Sequence, residues 1–431
     1  MDKEELYEVY RQILEAELKS ALGCTEPIAI AYASAVAASA LKSDIARVVV
    51  TCSGNIIKNV KGVTVPNSGG MKGIEVAALL GAIGGDGTKA LEVLSSITKE
   101  DIAKCKELLK ENICSVHLAE GVPGLYIKVL IFDMDGNSGE ALVNDCHNEI
   151  SELKVNGRSL PCIIKSTSSG KSDIADLKSY LDMEHIIDFA NEYDISNLAP
   201  TFSRQLEYNS AIAEEGLKNS YGASIGKTIK KYYPWSDVRV RARAKAAAAS
   251  DARMAGSALP VVINSGSGNQ GITVSLPVAE YAKELGVSSE KLYRALAVSN
   301  LTAIHQKRFI GPLSAYCGAV SAAAGAAAGI TYLHGGSKSE IASAVTNTLA
   351  TVAGIVCDGA KASCAAKIAS ALEAALLSFE ISFKEKRSFE SGDGLVKESI
   401  DSTIKTFGKV GKDGMRETDI EILKLMLERE C

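Results

Sequence analysis

Apolar residues near the start of the chain recur at the three- and four-residue intervals of one helix face. They are Leu6, Val9, Ile13, Leu14 and Leu18. This spacing predicts an opening helix over residues 3–20. An apolar, alanine-rich run at 28–41 predicts a second helix, and Pro27 just before it suits a first helical turn.

From residue 45 the pattern changes to short runs of β-branched and apolar residues separated by turn residues. The strands that this pattern predicts lie at 48–50, 113–118, 126–132, 140–144 and 160–164, with helices at 71–80 and 89–110. Asp135-Gly136-Asn137 is typical of a hairpin turn between two of them. We therefore predict an inserted α/β domain at 45–166, and the Ser/Gly-rich segment 166–170 as its exit linker.

Helical spacing dominates the remainder, which is rich in Ala, Gly and Ser. The predicted helices cover 174–181, 184–193, 207–231, 238–255, 277–285, 289–304, 313–333, 337–352 and 361–383. The fold class is therefore α+β, with a large all-helical catalytic domain and the inserted α/β domain near the N-terminus. We assign the N-terminal helices of the catalytic domain to 1–44 and its main part to 167–431.

The segment 313–333 has the length of a membrane span and carries no charged residue. It consists mainly of Ala, Gly and Ser rather than Leu, Ile and Phe, so its insertion into a bilayer would be only marginally favourable. We interpret it as a buried helix, with a membrane helix as the alternative, and expect no membrane association.

Composition narrows the functional classes. A net charge of −5 and an aromatic content of 5% argue against nucleic-acid binding. The first six residues are acidic and lack the basic-then-apolar pattern of a signal peptide, so we expect a cytoplasmic protein. In a reducing compartment the ten cysteines are better interpreted as core residues, ligands or nucleophiles than as disulfides.

Cys24 lies just before the second predicted helix, in the stretch Gly23-Cys24-Thr25-Glu26-Pro27. The N-terminus of a helix favours negative charge because its backbone N–H groups are not paired within the helix. This position therefore predicts a thiolate at Cys24.

Three further cysteines, Cys317, Cys357 and Cys364, lie among small residues. On one continuous helix, residues seven apart would be separated by about 10 Å along the axis, which is too far for neighbouring ligands of a compact cluster. Asp358-Gly359 predicts a turn that folds Cys357 back toward Cys364. Three thiolates would leave one iron of a four-iron cluster open to substrate. The alternative is three small cysteines buried between packed helices.

Two glycine-rich runs could bind an anion through successive backbone N–H groups, with plain flexible turns as the alternative. They are Asn264-Ser265-Gly266-Ser267-Gly268-Asn269-Gln270-Gly271 and Pro66-Asn67-Ser68-Gly69-Gly70. Arg253, upstream of the longer run, could clamp a substrate carboxylate or pair with a nearby Asp.

The remaining titratable candidates give weaker signals. No metal-ligand spacing connects the five histidines, for which we expect surface or core roles: His117, His147, His185, His305 and His334. Structural roles are expected for the cysteines of the inserted part, Cys52, Cys105, Cys114, Cys146 and Cys162.

Taken together, the motifs closely resemble those of the L-cysteine desulfidases, iron–sulfur enzymes related to the α-chain of bacterial L-serine dehydratases. The resemblance covers residues 23–364 and rests on Gly23-Cys24-Thr25-Glu26-Pro27, Ser250-Asp251-Ala252-Arg253-Met254, the run Asn264–Gly271, Leu313-Ser314-Ala315-Tyr316-Cys317 and Cys357-Asp358-Gly359-Ala360.

The resemblance implies a [4Fe-4S] cluster held by Cys317, Cys357 and Cys364. It also implies that L-cysteine is cleaved without pyridoxal phosphate to hydrogen sulfide, ammonia and pyruvate. In the mechanism we predict, the open iron takes the substrate sulfur and Cys24 removes the α-proton. The residues expected to hold the α-carboxylate are Asn67, Ser68, Gly69, Arg253, Asn264, Ser265, Gly266, Ser267, Gly268 and Asn269.

Cys431 is a candidate fourth ligand, because a C-terminal cysteine can cap the open iron in the related serine dehydratases. A C-terminal cysteine is not part of the desulfidase pattern, so a chance match is the alternative. We expect L-cysteine as the small-molecule partner and consider a homodimer as the assembly.

Three other functions stay open at this stage. The first is an iron–sulfur serine or threonine dehydratase, which would keep the chemistry and change the substrate. The second is a pyridoxal phosphate lyase, for which no lysine stands in a convincing sequence context. The third is a non-catalytic iron–sulfur sensor.

Overall fold

The computed structural model describes residues 1–144, 146–160, 171–392 and 394–428 of an α+β fold. The linker expected at 166–170, Cys162 and Cys431 lie outside the described residues.

Most of the described residues lie in seventeen helices. They are α1 (Lys3–Glu17), α2 (Thr25–Ala38), α3 (Gly54–Val60), α4 (Ile74–Gly84), α5 (Lys99–Lys110), α6 (Lys171–Leu177), α7 (Met183–Glu192), α8 (Ala199–Lys218), α9 (Ile225–Tyr232), α10 (Val238–Met254), α11 (Gly268–Leu285), α12 (Ser289–Ile310), α13 (Gly318–Leu333), α14 (Lys338–Val352), α15 (Ser363–Phe379), α16 (Ile400–Lys409) and α17 (Arg416–Leu427).

The strands of the described residues form two sheets. They are β1 (Ser20–Leu22), β2 (Ile45–Ser53), β3 (Cys114–Ala119), β4 (Tyr126–Asp133), β5 (Ser138–Asn144), β6 (Ile150–Val155), β7 (Arg158–Leu160) and β8 (Pro260–Val262). Six strands make one sheet in the order β3-β2-β4-β5-β6-β7, in which only β2 and β3 run parallel. The other sheet is the antiparallel pair β1 and β8.

The β1–β8 pair was not predicted, and it corrects the first helix. The opening helix ends at Glu17 rather than residue 20, because the chain turns into β1 and pairs Ala21 with Val261. Leu22 and Val262 are buried in this ribbon. The ribbon therefore brings the start of α2 beside residues from the distant second half of the chain.

Several other boundaries differ from the sequence expectation, and three of them have a clear local cause or consequence. The helix expected at 89–110 begins only at Lys99, where Thr98 and Asp101 form a capping box. The helix expected at 207–231 is two helices, α8 and α9, because Gly222 and Ser224 adopt left-handed backbone conformations between them. The helix expected at 277–285 begins at Gly268, inside the glycine-rich run.

The helical core is packed around α13, in which every residue from Ala319 to Leu333 is buried. This helix contacts α11, α12, α14 and α15. Small residues permit the close approach, since a methyl group at Gly325 would meet the Ser299 carbonyl oxygen of α12. The expectation of a buried helix is met, and no helix of the described ranges combines the length and apolarity that crossing a membrane requires.

Helix α2 joins the helical part to the six-stranded sheet. All but its last residue are buried, and it packs against β4, β5 and α4. The contact with β5 is close, because a methyl group at Gly139 would overlap the Ala37 carbonyl oxygen. Since α2 is shared between the sheet and the helices, the domain boundaries near residues 44 and 166 stay a prediction.

Replacing Gly81 of α4 should destabilise the fold through α2. A methyl group there would overlap the carbonyl oxygen of Ala31, and backbone cannot move aside as a flexible side chain can. We expect Gly81→Ala to lower the free energy of unfolding by about 1–3 kcal/mol, measured by urea denaturation. Gly62→Ala, where no atom lies within 4 Å of the added methyl, is the control. Equal stability of the two variants would contradict this packing.

Candidate active site

One cavity of about 110 Å³ gathers most of the residues that the sequence singled out. Its walls come from α2, from the loop between β5 and β6, and from the ends of α10, α11, α12, α13 and α15. The residues that line it and that bear on its chemistry are Cys24, Glu26, Asn59, His147, Arg253, Ser265, Gly266, Ser267, Asn269, Lys307, Cys317, Cys357 and Cys364.

The three distant cysteines share this cavity. Cys317 is the residue before α13, and its backbone N–H donates to the Ile355 carbonyl at 3.1 Å, while the N–H of Cys357 donates to the Ala315 carbonyl at 2.7 Å. These two bonds hold the Cys317 and Cys357 segments side by side. Cys364 lies in the first turn of α15.

The turn predicted between Cys357 and Cys364 is present. Gly359 has φ = +97°, and a methyl group there would overlap the Lys58 carbonyl oxygen, so only glycine fits. Burial acts to raise the pKa of Asp358, but Lys367 and Lys361 lower it to about 2. A charged Asp358 held by two lysines fixes the loop between the two cysteines.

The thiol loop is also tied to α17. The buried ammonium of Lys58, 2% exposed, forms an ion pair with Asp419 of α17 and donates to the Cys357 carbonyl at 3.4 Å. A buried charge requires such a partner, because an unpaired ion in the interior is strongly unfavourable.

The three thiols are donors of the type that binds iron–sulfur clusters. Among the described residues, no three His, Cys, Asp or Glu side chains are grouped as ligands of one ion. Sulfur donors around a shared cavity are the ligand type of iron–sulfur clusters, whose several metal atoms are bound by spaced thiolates. Burial raises the pKa of Cys317 to about 12 and that of Cys364 in the same direction, so these two thiols are protonated at rest. The residues present therefore fit a cluster, whose binding would release the thiol protons.

Cys24 lies immediately before α2 as expected, but the predicted thiolate is wrong for the resting site. Burial raises the pKa of Cys24 well above its usual value, and the neighbouring Glu26 carboxylate adds to the effect. The thiol donates a hydrogen bond to Glu26 Oε2 at 2.9 Å. Desolvation outweighs the helix N-terminus here, because Cys24 is only 2% exposed.

Glu26 is a buried carboxylate to which the sequence analysis assigned no role. Besides the Cys24 thiol, it accepts hydrogen bonds from Thr25 Oγ1 at 3.0 Å and from Asn59 Nδ2 at 3.0 Å. Burial acts to raise the pKa of Glu26, but the nearby His147, the thiol hydrogen bond and Arg253 together hold it below its usual value. Glu26 is therefore ionised beside Cys24.

Arg253, in the last turn of α10, is 2% exposed and has no hydrogen-bond or ion-pair partner among the described residues. The nearby Asp251 accepts instead from the Gly226 N–H at 3.0 Å, so the alternative of an Arg–Asp pair is not what the structure shows. Gly268 leaves room for the guanidinium, which a methyl group there would overlap. A buried guanidinium that faces a cavity without a counter-ion is suited to bind an anion.

The glycine-rich run divides into a turn and a helix start. Ser265 and Gly266 both have positive φ, and the turn is closed by reciprocal backbone hydrogen bonds between Asn264 and Ser267 at 3.1 and 3.0 Å. Of the predicted binding residues, Ser265, Gly266, Ser267 and Asn269 line the cavity. Asn264 points away and donates to Asn300 Oδ1 at 3.0 Å.

The shorter glycine-rich run is not part of the cavity wall. Asn67 donates to the Leu94 carbonyl at 2.9 Å and Ser68 to the Met71 carbonyl at 3.0 Å, and neither they nor Gly69 line the cavity. Pro66 packs instead against Gly23, where a methyl group would overlap the proline ring. This run supports the backbone next to Cys24.

Two cavity residues were not anticipated as site residues. His147, between β5 and β6, is 7% exposed, and its Nε2 has no hydrogen-bond partner among the described residues. Lys307, in the last turn of α12, donates to the Pro312 carbonyl at 3.3 Å, and burial lowers its pKa to about 8. No local pattern marks either residue, because both reach the cavity through the tertiary fold.

Comparison with known proteins gives the family of this chain. Residues 88–424 match the serine dehydratase alpha chain family, to which this chain belongs. The matched range includes the three thiols and Arg253, whereas Cys24 precedes it.

Several relatives extend over nearly the whole chain. The UPF0597 protein of Lachnoclostridium phytofermentans is 50% identical over 98% of this chain and 100% of its own length. UPF0597 protein DSY1109 of Desulfitobacterium hafniense is 47% identical over 98% of this chain and 97% of its own length. The UPF0597 protein of Treponema denticola is 46% identical over 98% of each of the two chains. These names state no activity.

Replacing the buried Lys307 should stabilise the iron-free protein near neutral pH. Its pKa falls from 10.5 unfolded to about 8 folded, so the folded state binds the proton less tightly. Below pH 8 this costs about 3 kcal/mol, and the cost fades as the pH rises toward 10.5. We expect Lys307→Met to raise the free energy of unfolding at pH 7 by up to that amount and to lose the gain near pH 10.

Urea denaturation at both pH values measures this effect. The control is Lys106→Met, because Lys106 is exposed on α5. A gain for Lys307→Met that is the same at pH 7 and pH 10 would show that the substitution acts through packing and not through the charge.

Proposed function

We propose that the protein is an L-cysteine desulfidase, which eliminates hydrogen sulfide from L-cysteine with the help of a [4Fe-4S] cluster. The remaining aminoacrylate tautomerises and hydrolyses in water to pyruvate and ammonia. The observation that carries the proposal is the joint placement of three thiols, the unpaired Arg253 and the Cys24–Glu26 pair around one cavity.

Cys317, Cys357 and Cys364 would hold the cluster. A cluster with three protein ligands has one iron free to bind the substrate sulfur as a Lewis acid and make it a better leaving group. Membership of the serine dehydratase alpha chain family is compatible with this cofactor. The ammonium of Lys367 lies close enough to Cys317 to favour its thiolate form.

Arg253 would bind the α-carboxylate of the substrate. Its guanidinium offers two parallel N–H donors, which match the two oxygens of a carboxylate. Ser265, Ser267 and Asn269 add polar groups on the same wall of the cavity. Pairing with substrate would also remove the cost of the buried, uncompensated charge.

Cys24 would remove the α-proton of the bound amino acid. Because the thiol is protonated at rest, it must first release its own proton, and the first acceptor in reach is Glu26 Oε2 at 2.9 Å. The thiolate then takes the proton from Cα, the C–S bond breaks and its electron pair leaves with the sulfur. Buried surroundings keep water away from the carbanion-like transition state.

An iron–sulfur serine or threonine dehydratase is the second candidate, and the family match favours it. The same residues would then expel hydroxide in place of sulfide. A measurement of pyruvate formation from L-cysteine and L-serine by anaerobically purified protein separates the two. We expect L-cysteine to be the faster substrate, and faster turnover of L-serine would overturn the desulfidase assignment.

A pyridoxal phosphate lyase is tested by the same preparation. Lys307 is a buried lysine with a lowered pKa in the cavity, a context that the sequence did not reveal. We expect the absorption spectrum to show the broad band of an iron–sulfur cluster. A resolved aldimine band would favour pyridoxal phosphate bound to a lysine.

Replacing Cys24 should separate catalysis from cluster binding. We expect Cys24→Ala to keep its iron and acid-labile sulfide and to lose sulfide release from L-cysteine by at least about 100-fold, because the general base is removed. Iron is measured by colorimetric assay and sulfide release by trapping. Activity within a few-fold of the parent protein would remove Cys24 from the mechanism.

Cys357→Ala is the matched control, because it removes a thiol of the same cavity with the opposite expected pattern. We expect this variant to lose its iron together with its activity. A full iron content in Cys357→Ala would show that this residue is not a ligand.

A further inference from the structure

His147 carries a ring nitrogen, Nε2, that is buried without a hydrogen-bond partner within the described part of the chain. It lines the cavity with Cys24 and Glu26, and its buried Nε2 has no partner. Burying an unpaired polar nitrogen is unfavourable, so such a group in a cavity usually serves a ligand or a reaction.

The structure makes room for this side chain from two sides. On the strand side, the β5–β6 pairing shifts register between Leu142 and Val143, just before the loop that carries His147. Such irregularities redirect the residues that follow them. On the opposite wall, a methyl group at Gly266 would lie 3.3 Å from His147 Nδ1, so a larger residue would press on the ring.

If Cys24 is to act as a base, its thiol proton must move on from Glu26 to a second acceptor. The carboxylate is in contact with the thiol, but its pKa is held below the usual value, so it cannot keep a proton for long. His147 is close enough for its charged form to be stabilised by Glu26, and burial keeps it neutral at rest by lowering its pKa. A neutral imidazole with an open nitrogen can accept a proton and carry it.

We propose that His147 is a catalytic residue of this elimination, which takes the proton of the Cys24 thiol by way of Glu26 and passes it to the departing sulfur. The proposal rests on the proposed function, in which Cys24 acts as the base.

The proton and electron count closes without an oxidant or reductant. The S–H bond of Cys24 breaks and its proton moves to His147, which leaves a thiolate at Cys24 and an imidazolium at His147, both near the Glu26 carboxylate. The thiolate takes the proton from Cα, and the electron pair of the C–S bond leaves with the sulfur. The imidazolium protonates the sulfide, so Cys24, Glu26 and His147 all return to their resting protonation states.

The activity test compares two replacements of His147. Glutamine can still make a hydrogen bond near the position of Nε2 but cannot carry a proton. We expect His147→Gln to lower kcat for L-cysteine at least about 100-fold with KM within a few-fold and an unchanged iron content. Added imidazole should restore part of the activity of His147→Ala in a saturable way. His117→Gln, at an exposed strand position, is the control and should match the parent protein.

A kcat of His147→Gln within three-fold of the parent value would overturn the proton-transfer role, as would the lack of any rescue by imidazole in a folded His147→Ala protein. If the parent protein turns over L-serine but not L-cysteine, the desulfidase assignment is refuted, whereas the role of His147 is not. The same variants would then be assayed with L-serine, whose hydroxyl needs the same proton.

A second measurement does not depend on turnover. If His147 accepts the thiol proton, Cys24 should react with iodoacetamide at pH 8 at least ten-fold more slowly in His147→Gln than in the parent protein. Mass spectrometry of the Cys24 peptide measures the rate, and Cys114, on the distant strand β3, is the internal reference. Equal rates in the two proteins would refute the transfer even in a preparation without activity.

Discussion

Direct contact between backbones is the constraint on which the rest of this structure depends. At several crossings the α-carbon of a glycine lies against a carbonyl oxygen of the neighbouring element, as Gly216 does against Ala248 and Gly271 against Val262. Helices that pack this closely leave little freedom for relative sliding. The ends of α10, α11, α12 and α13 are thereby held around one small space, and the side chains at those ends are placed without long flexible segments.

The electrostatics of that space follow from the same packing. Because the charged groups around the cavity are buried, each charge acts strongly on its neighbours. Glu26 stays ionised because hydrogen bonds and nearby cations compensate its burial, whereas Lys307 loses part of its proton affinity and Arg253 has no hydrogen-bonded partner among the described residues. The cavity is thus prepared for an anionic ligand before any ligand arrives.

The backbone preferences of single residues made two features of the site predictable from the sequence. Pro27 marked the start of α2, and Asp358-Gly359 marked the turn that returns the chain toward Cys364, since both depend on backbone preferences of single residues. The thiolate predicted for Cys24 failed because the helix terminus was considered without the burial of the thiol. His147 could not be anticipated as a site residue, since it follows a strand more than one hundred residues before the three cysteines in the sequence and reaches them only through the tertiary fold.

The ion pair between Lys58 and Asp419 links the thiol loop to one of the last helices of the described chain. Until Asp419 has folded onto α3, Lys58 must either stay hydrated or be buried without a counter-charge, and the Cys357 loop that it supports is not closed. During synthesis on the ribosome, the cavity is therefore completed late, after residues far beyond the three cysteines have emerged. Assembly of the site is coupled to folding of the C-terminal part, so a cofactor meets its finished cavity only in a chain that has nearly completed its fold.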